Sequence, residues 1–205
     1  MVELVLIGDG GHCVACIDVI SSLENVRLRG IIAGEQNRVG QEVCDVPIIG
    51  TDDDLPGLGL EGCYAIVAIG QTKSADKRRQ LFDFIHQNGL QTTEIISAHA
   101  IVADNARVGT GTIIMNRVML STNTSVGENS IINSCTLLEH GVTVGSHCHI
   151  ATGALINGDV VIEDNVFVGS GAVVCPGVRI ETAAVIGAGE VVKQNVRAGQ
   201  IYRTV

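Results

Sequence analysis

The second half of the chain carries an aliphatic residue at every sixth position, from Val102 to Val192. An α-helix repeats every 3.6 residues and a β-strand every two, so neither element produces a strict period of six. A six-residue repeat is typical of a parallel β-helix, in which each repeat forms one flat side of a coil. The pattern predicts about five three-sided coils. The aliphatic positions are Val102, Val108, Ile114, Leu120, Val126, Ile132, Leu138, Val144, Ile150, Ile156, Ile162, Val168, Val174, Ile180, Ile186 and Val192.

Two other positions of the repeat support this prediction. The fourth residue after each aliphatic one is mostly small or β-branched, as at Thr112 and Val142, and is expected to point inward. The residue before it is often glycine or asparagine, as at Gly111, Asn129 and Gly153. These two residue types tolerate a positive φ, which a sharp corner between flat faces requires.

The first hundred residues lack the sixfold repeat and alternate between two other patterns. Apolar runs predict strands at 2–7, 27–32, 47–50, 64–69 and 92–96, and helical spacing predicts helices after Gly11 and over 74–88. Strands that alternate with helices indicate a small parallel α/β sheet. We therefore expect a Rossmann-like α/β domain over 1–98, followed by an all-β parallel β-helix over 99–205.

The predicted helix over 74–88 has two distinct faces. Leu81, Phe82 and Ile85 share the apolar face. The basic run Lys77, Arg78 and Arg79 is expected on the outside.

Charge and composition exclude several classes of function. The net charge is −9 and no long Lys/Arg cluster is present, which argues against nucleic acid as a partner. No apolar run reaches the roughly 18 residues that span a membrane. The first seven residues lack the basic flank of a signal peptide, so the seven cysteines are expected to be reduced thiols in the cytoplasm. Cys13 and Cys16, although spaced as CxxC, are interpreted as small helix residues.

A glycine-rich turn follows the first predicted strand and precedes a helix. Such a turn lets the backbone approach a phosphate, and the helix amino terminus supplies N–H groups and a positive dipole end; a plain tight turn is the alternative. Parallel sheets bind ligands at the carboxyl ends of their strands. The residues that share this edge are Gly8, Asp9, Gly10, Gly11, Glu35, Gly70 and Gln71.

Three histidines, His140, His147 and His149, lie close together in the repeat region. They have three possible roles: a solvated face, a metal site or general base catalysis. The spacing lacks a good ligand set, so no metal is expected. Cys135 and Cys148 are nearby, and an acyl-enzyme through either thiol is the less favoured alternative.

Several segments resemble bacterial nucleotide-sugar N-acetyltransferases and sialic acid O-acetyltransferases, the PglD/NeuD-like family. The matching segments are 7–12, 68–70, 97–102, 132–140, 144–145 and 149–154. The resemblance implies an α/β domain followed by a left-handed β-helix of hexapeptide repeats, and assembly as a homotrimer with active sites between subunits. Met115, Met119 and Phe167 are then expected at subunit interfaces.

The resemblance also implies roles for individual residues. His140 is the expected general base. Because Gly141 stands where the family usually has an acidic residue, either Glu139 or a backbone carbonyl is expected to orient the imidazole. Asn133 is expected to line the substrate site, His149 and Gly158 the coenzyme site. The glycine turn and His12 are expected to hold the nucleotide-sugar.

These expectations combine into one hypothesis about function. The protein is predicted to be a cytoplasmic enzyme of glycan biosynthesis that transfers acetyl directly from acetyl-CoA, without a metal. The predicted acceptor is the amino group of a UDP-linked 4-amino-4,6-dideoxy-N-acetylhexosamine. Two alternatives stay open: a sialic-acid-type sugar O-acetyltransferase, and a β-helix protein that binds nucleotide-sugars without catalysis.

Overall fold

The computed structural model describes residues 1–71 and 74–204. The elements of its first part are β1 (Val2–Ile7), α1 (Gly11–Ser21), β2 (Val26–Ala33), β3 (Glu42–Val43), β4 (Val46–Thr51), β5 (Tyr64–Val67) and α2 (Asp76–Gln87), with short 3-10 helices at Gln36–Arg38 and Asp52–Gly57. The strands form a five-stranded sheet in the order β3-β4-β2-β1-β5, in which all neighbours are parallel except the β3-β4 hairpin. This confirms the predicted α/β sheet.

Burial explains why these segments form strands and helices. The last four residues of β1 are buried because helices cover both faces of the sheet centre. Cys13 and Cys16 are buried free thiols on α1, as their interpretation as small helix residues requires. Burial raises the pKa of Cys13 to about 12, so this thiol stays protonated and unreactive.

The prediction of a further α/β strand over 92–96 is wrong. Only Ile95–Ile96 is extended, and this strand, β6, pairs with the β-helix strand Ile113–Ile114 instead of the α/β sheet. The two isoleucines suit either sheet, and stacking one coil away on a similar Ile pair decides the outcome.

The rest of the chain is a left-handed parallel β-helix with three faces. Face 1 contains β7 (Ile101–Val102), β10 (Met119–Leu120), β13 (Leu137–Leu138), β16 (Leu155–Ile156), β19 (Val173–Val174) and β22 (Val191–Val192). Face 2 contains β8 (Arg107–Val108), β11 (Ser125–Val126), β14 (Thr143–Val144), β17 (Val161–Ile162) and β20 (Arg179–Ile180). Face 3 contains β6, β9 (Ile113–Ile114), β12 (Ile131–Ile132), β15 (His149–Ile150), β18 (Phe167–Val168), β21 (Val185–Ile186) and β23 (Ile201–Tyr202).

One coil is three repeats long, as the strand register shows: Met119 pairs with Ile101 on one side and with Leu137 on the other. Nearly all the sixth-position aliphatic residues are buried, as are the small residues four positions later. Burial of each Val, Ile or Leu contributes about 1.5–3 kcal/mol, so the stack of aliphatic rungs stabilises the β-helix.

The corners use the left-handed backbone conformation, as predicted for the glycine and asparagine positions. Gly111, Asn129 and Gly153 have φ of 70°, 47° and 69°. Other residue types also adopt this conformation, which the sequence pattern did not indicate. They are Arg117, Cys135, His147, Asp159 and Ala183. The cost of about 1–2 kcal/mol at each such residue is outweighed by the ladder bonds and rungs on both sides of the corner.

The two parts of the chain share a packed junction. Phe82 of α2 lies over Gly111, where a Cβ would meet the ring at 2.5 Å, so glycine is needed at this corner. Asn116 donates to Asp18 on α1 at 2.7 Å. Met115 is buried in this core rather than at a subunit interface, so its expected place was wrong.

No helix among the described residues is long and apolar enough to cross a membrane.

Candidate active site

The glycine turn after β1 leaves the amino terminus of α1 open. Gly10 precedes the helix with φ −85°, no side chain caps the helix, and its first turn contains no acidic residue. A Cβ added at Gly10 or Gly11 would meet nothing within 4 Å, so the space in front of the turn is free. Gly8 has φ +111°, and a side chain there would strike Ile69. The turn therefore offers unsatisfied N–H groups to an anion.

A depression of about 610 Å³ lies beside this turn. Arg38 donates through Nε to Asp9 at 2.7 Å within it. Glu35 lies in the wall, as the strand-end argument predicted, whereas Arg38 and Lys77 had no sequence signal beyond their charge. The complete lining is Asp9, Gly10, Gly34, Glu35, Arg38 and Lys77. Two cations and two carboxylates line the depression, and one of these carboxylates, Asp9, is already paired with Arg38. Lys77 and the open helix amino terminus suit a phosphate, and Glu35 suits a donor group of the same ligand.

His149 and His12 lie where the α/β sheet meets face 3 of the β-helix. Their rings are 6.3 Å apart. Nδ1 of His149 lies 3.0 Å from the carbonyl oxygen of Gln71 and 3.3 Å from its amide nitrogen. Phe167, which was expected at a subunit interface, packs edge-on against the His149 ring at 5.4 Å and is half-buried.

Both imidazoles are neutral near pH 7. Burial, with the charge of Arg78, lowers the pKa of His12 to about 4 and that of His149 to about 3. Nε2 of His12 is buried and has no hydrogen-bond partner among the described residues.

Asn133 and Gly70 join the same group. Nδ2 of Asn133 lies 3.5 Å from Nε2 of His149, which fits a His149 that donates through Nδ1 to Gln71. A Cβ added at Gly70 would lie 3.8 Å from the Cβ of His12. The structure thus brings together His12, Gly70, Gln71, Asn133 and His149, which lie far apart in the sequence. His149, which the resemblance placed at the coenzyme site, lies among residues that were expected to bind the substrate.

Arg78 was expected on the outside of α2, and this expectation is wrong. The side chain is 1% exposed. It donates to Oε1 of Gln71 at 3.0 Å, to the carbonyl oxygen of Cys148 at 3.3 Å, and to that of Asn129. Helical spacing alone cannot show this, because the face that holds Arg78 is covered by the β-helix and not by the α/β core.

His140 lies at the corner between faces 1 and 2, and 60% of its side chain is exposed. Its Nδ1 is 3.5 Å from Oε2 of Glu139. Gly158 lies one coil further on, and a Cβ there would come within 2.6 Å of the imidazole Cε1 and Nε2. Glycine at 158 is therefore what allows the ring to lie against the backbone of the next coil.

The three histidines of the repeat do not form a cluster. His147 is at the corner between faces 2 and 3, where it contacts Asn129 at 2.9 Å and packs against Phe82. His149 lies on face 3 and His140 at the opposite corner. Within the described ranges, no group of three or more His, Cys, Asp and Glu residues is placed to hold a metal ion. Cys148 is buried, and burial raises its pKa to about 12, which does not suit a nucleophile.

Two family models match the chain. The PglD N-terminal domain matches residues 3–84, and the hexapeptide repeat of succinyl-transferase matches residues 122–157 and 159–194. No curated protein sequence matches significantly.

Solved structures match nearly the whole chain. PerB from Caulobacter crescentus, in complex with CoA and GDP-perosamine, is 28% identical with a TM-score of 0.86 over 95% of this chain and 90% of PerB. A histidine-to-alanine variant of that GDP-perosamine N-acetyltransferase, at 27% identity, has a TM-score of 0.87 over 96% and 91%.

A third structure supports the fold alone. The acetyltransferase domain of PglB from Neisseria gonorrhoeae FA1090 is 24% identical, with a TM-score of 0.85 over 96% of this chain and 94% of that domain. Together, the α/β domain with its glycine turn, the hexapeptide β-helix and these matches show that the chain is an acetyltransferase of the PglD/NeuD-like nucleotide-sugar family.

Proposed function

We propose that this protein uses acetyl-CoA to acetylate the amino group of a nucleotide-linked amino sugar. The observation that carries the proposal is an accessible imidazole, His140, that lies against the bare backbone of Gly158 on an open corner. The complex of PerB with CoA and GDP-perosamine provides the ligand classes. The proposed acceptor is a UDP-linked 4-amino-4,6-dideoxy-N-acetylhexosamine, with the GDP-linked sugar as the competing nucleotide.

The proposed reaction is a direct transfer. The neutral amine attacks the thioester carbonyl carbon while His140 removes a proton from the nitrogen. The tetrahedral intermediate then collapses, the amide forms, the C–S bond breaks, and the thiolate of CoA takes up a proton. A positioned base typically contributes 10²–10⁴-fold to the rate. Glu139, near Nδ1, would hold the ring in place; since both groups are well exposed, its role is orientation rather than stability.

The proposed base and the proposed nucleotide site lie on opposite sides of one chain. His140 is at the corner between faces 1 and 2, and a corner of a triangular prism is opposite its third face. Face 3 carries His149 and packs against the α/β domain. A complete site therefore needs a second copy of the chain, and we propose that the protein is a homotrimer whose active sites lie between subunits.

An apolar stripe beside His140 supports this assembly. Face 1 presents one outward apolar residue per coil, and Ile101, Met119, Leu155 and Val191 are each between 41% and 66% exposed. The full stripe is Ile101, Met119, Leu137, Leu155, Val173 and Val191. An apolar surface of this length and regularity is typical of a subunit interface.

A double variant tests the assembly. Met119→Glu with Leu155→Glu places carboxylates in the stripe and should yield monomers without transferase activity, as measured by light scattering and by assay. The matched control is Ser125→Glu with Thr143→Glu, which places two carboxylates on face 2 instead. An active monomer would contradict the proposal.

The reaction itself is tested with acetyl-CoA and a panel of UDP-, GDP- and dTDP-linked amino sugars, by thiol release and mass spectrometry of the product. We expect N-acetylated product from a UDP-linked 4-amino sugar. Turnover of the GDP-linked sugar alone would contradict the proposal that the nucleotide is UDP. Acetylation of a sialic-acid hydroxyl would contradict the proposal that the acceptor is an amino group. Binding of both ligands without turnover would contradict the proposal that the protein is an N-acetyltransferase.

A further inference from the structure

Arg78 is a buried cation without an acidic partner. The side chain is 1% exposed, and no carboxylate forms an ion pair with it in the part of the chain that the structure describes. A buried charge destabilises the folded protein unless hydrogen bonds or an opposite charge stabilise it. Burial lowers the pKa of Arg78 to about 10, so the guanidinium is charged at neutral pH despite this cost. Such a residue calls for an explanation beyond packing.

Its hydrogen bonds join three separate pieces of the protein. The guanidinium, on α2, donates to the carbonyl oxygens of Asn129 and Cys148, which belong to successive coils of the β-helix. It also donates to Oε1 of Gln71, in the segment between β5 and α2. In the opposite direction, Nδ2 of Asn129 donates a hydrogen bond to the carbonyl oxygen of Arg78 at 3.3 Å. The start of α2 is therefore bonded to the β-helix in both directions.

Two residues of the candidate site depend on these bonds. The backbone of Gln71 holds Nδ1 of His149. Lys77, the residue directly before Arg78, lines the depression beside the glycine turn. A shift of Arg78 would move both of them at once.

We infer that Arg78 is a positioning residue that holds Gln71, His149 and Lys77 in the arrangement that binds the nucleotide-linked acceptor. This inference rests on the proposed function for its ligand. The charge of Arg78 acts in the same direction: after burial, it is the next cause of the low pKa of both His12 and His149. Neutral imidazoles keep a ring nitrogen free to accept a hydrogen bond.

The test compares Arg78→Met, Arg78→Lys and the control Arg79→Met, the same change at the exposed neighbour on α2. For Arg78→Met we expect the KM for the acceptor to rise about tenfold or more, while the KM for acetyl-CoA changes less than about twofold. Arg78→Lys keeps the charge and some donors, so its acceptor KM should fall between. Arg79→Met should match the unmodified protein.

Histidine NMR titration provides a readout that a purely structural role would not move selectively. In Arg78→Met, the pKa of His149 and His12 should rise, because a nearby positive charge is gone. A folded Arg78→Met protein with unchanged acceptor KM would overturn the inference. So would equal increases in both KM values. If Arg78→Met does not fold, Arg78→Lys decides by the same two criteria.

Different measurements test the role of Arg78 and the proposed function, so the failure of one can be told from the failure of the other. If the unmodified protein acetylates no nucleotide-linked sugar, the proposed function is wrong. The positioning role is then decided by the histidine titration and by amide hydrogen exchange at Gln71 and Lys77. Unchanged values in Arg78→Met relative to Arg79→Met would overturn it.

Discussion

His140 and His149 lie half a coil apart in the β-helix, yet their surroundings are opposite. His140 has a 60% exposed side chain on an open corner, and His149 is 7% exposed between the α/β domain and the β-helix. Burial and the nearby charge of Arg78 lower the pKa of His149 to about 3, so it cannot accept a proton near pH 7. In the proposed function, proton transfer therefore falls to the exposed histidine and ligand positioning to the buried one.

The residue one coil further on contributes to the difference. Gly158 follows His140 by one coil and leaves the ring uncovered, whereas Phe167 pairs with His149 and packs edge-on against it. The α/β domain covers His149 as well, through the backbone of Gln71 and the ring of His12, and nothing comparable covers His140 among the described residues.

The largest expected effect separates the two histidines directly. His140→Asn keeps the size of the side chain but removes the base, so kcat should fall by roughly 10²–10⁴. The melting temperature and the KM for acetyl-CoA should change little, because the side chain is largely exposed. His149→Asn is the matched variant and should raise the acceptor KM more than it lowers kcat. Near-full turnover by His140→Asn would show that His140 is not the general base.

The binding side is tested at the glycine turn. Gly10→Val should raise the acceptor KM by roughly 10–100-fold, because the branched side chain fills the space in front of the helix amino terminus. The backbone φ of −85° accepts valine, so the variant should fold. Gly57→Ala, at a turn with free space and away from the site, is the control. Unchanged affinity for the nucleotide-sugar in calorimetry would show that the glycine turn does not bind the phosphate.

A smaller effect is expected at Gly158. Gly158→Ala places a methyl group 2.6 Å from the His140 ring, so the imidazole must move. We expect kcat to fall about tenfold while the acceptor KM stays within about twofold, since the proposed nucleotide site is elsewhere. Steady-state kinetics with both substrates measures this. An unchanged kcat would show that the position of His140 against the next coil is unimportant.

The smallest effect concerns stability. The pKa values of His12 and His149 lie well below 6.5 in the folded protein, so the unfolded chain binds more protons as the pH falls. Their contribution is complete above pH 6.5 and is lost progressively towards pH 4 and 3. Between pH 7.5 and 5.5, each should lower the free energy of unfolding by about 1 kcal/mol.

Urea denaturation at both pH values measures this loss. His149→Asn should remove about half of the contribution of the pair. An equal pH dependence of the free energy of unfolding in the unmodified protein and in this variant would show that His149 is not buried in solution.

The sequence alone determined the architecture. A strict period of six allows only a coil with flat sides, and the apolar strand followed by a glycine turn and a helix allows little besides a parallel α/β unit. Gly111, Asn129 and Gly153 were also predictable as corners, since their residue types favour the left-handed backbone. An outward position of His140 can also be read from the repeat, because Leu138, two residues earlier, belongs to the inward aliphatic series.

Tertiary structure alone decided which residues the two parts of the chain share. Arg78, Met115 and strand β6 were all misplaced by sequence reasoning, and all three lie at the junction. Local periodicity shows which side of a helix or strand is apolar, but it cannot show that a second domain covers the polar side. Arg78 is buried because the β-helix packs over it, and carbonyl oxygens from two coils accept its hydrogen bonds. No pattern within α2 indicates these contacts.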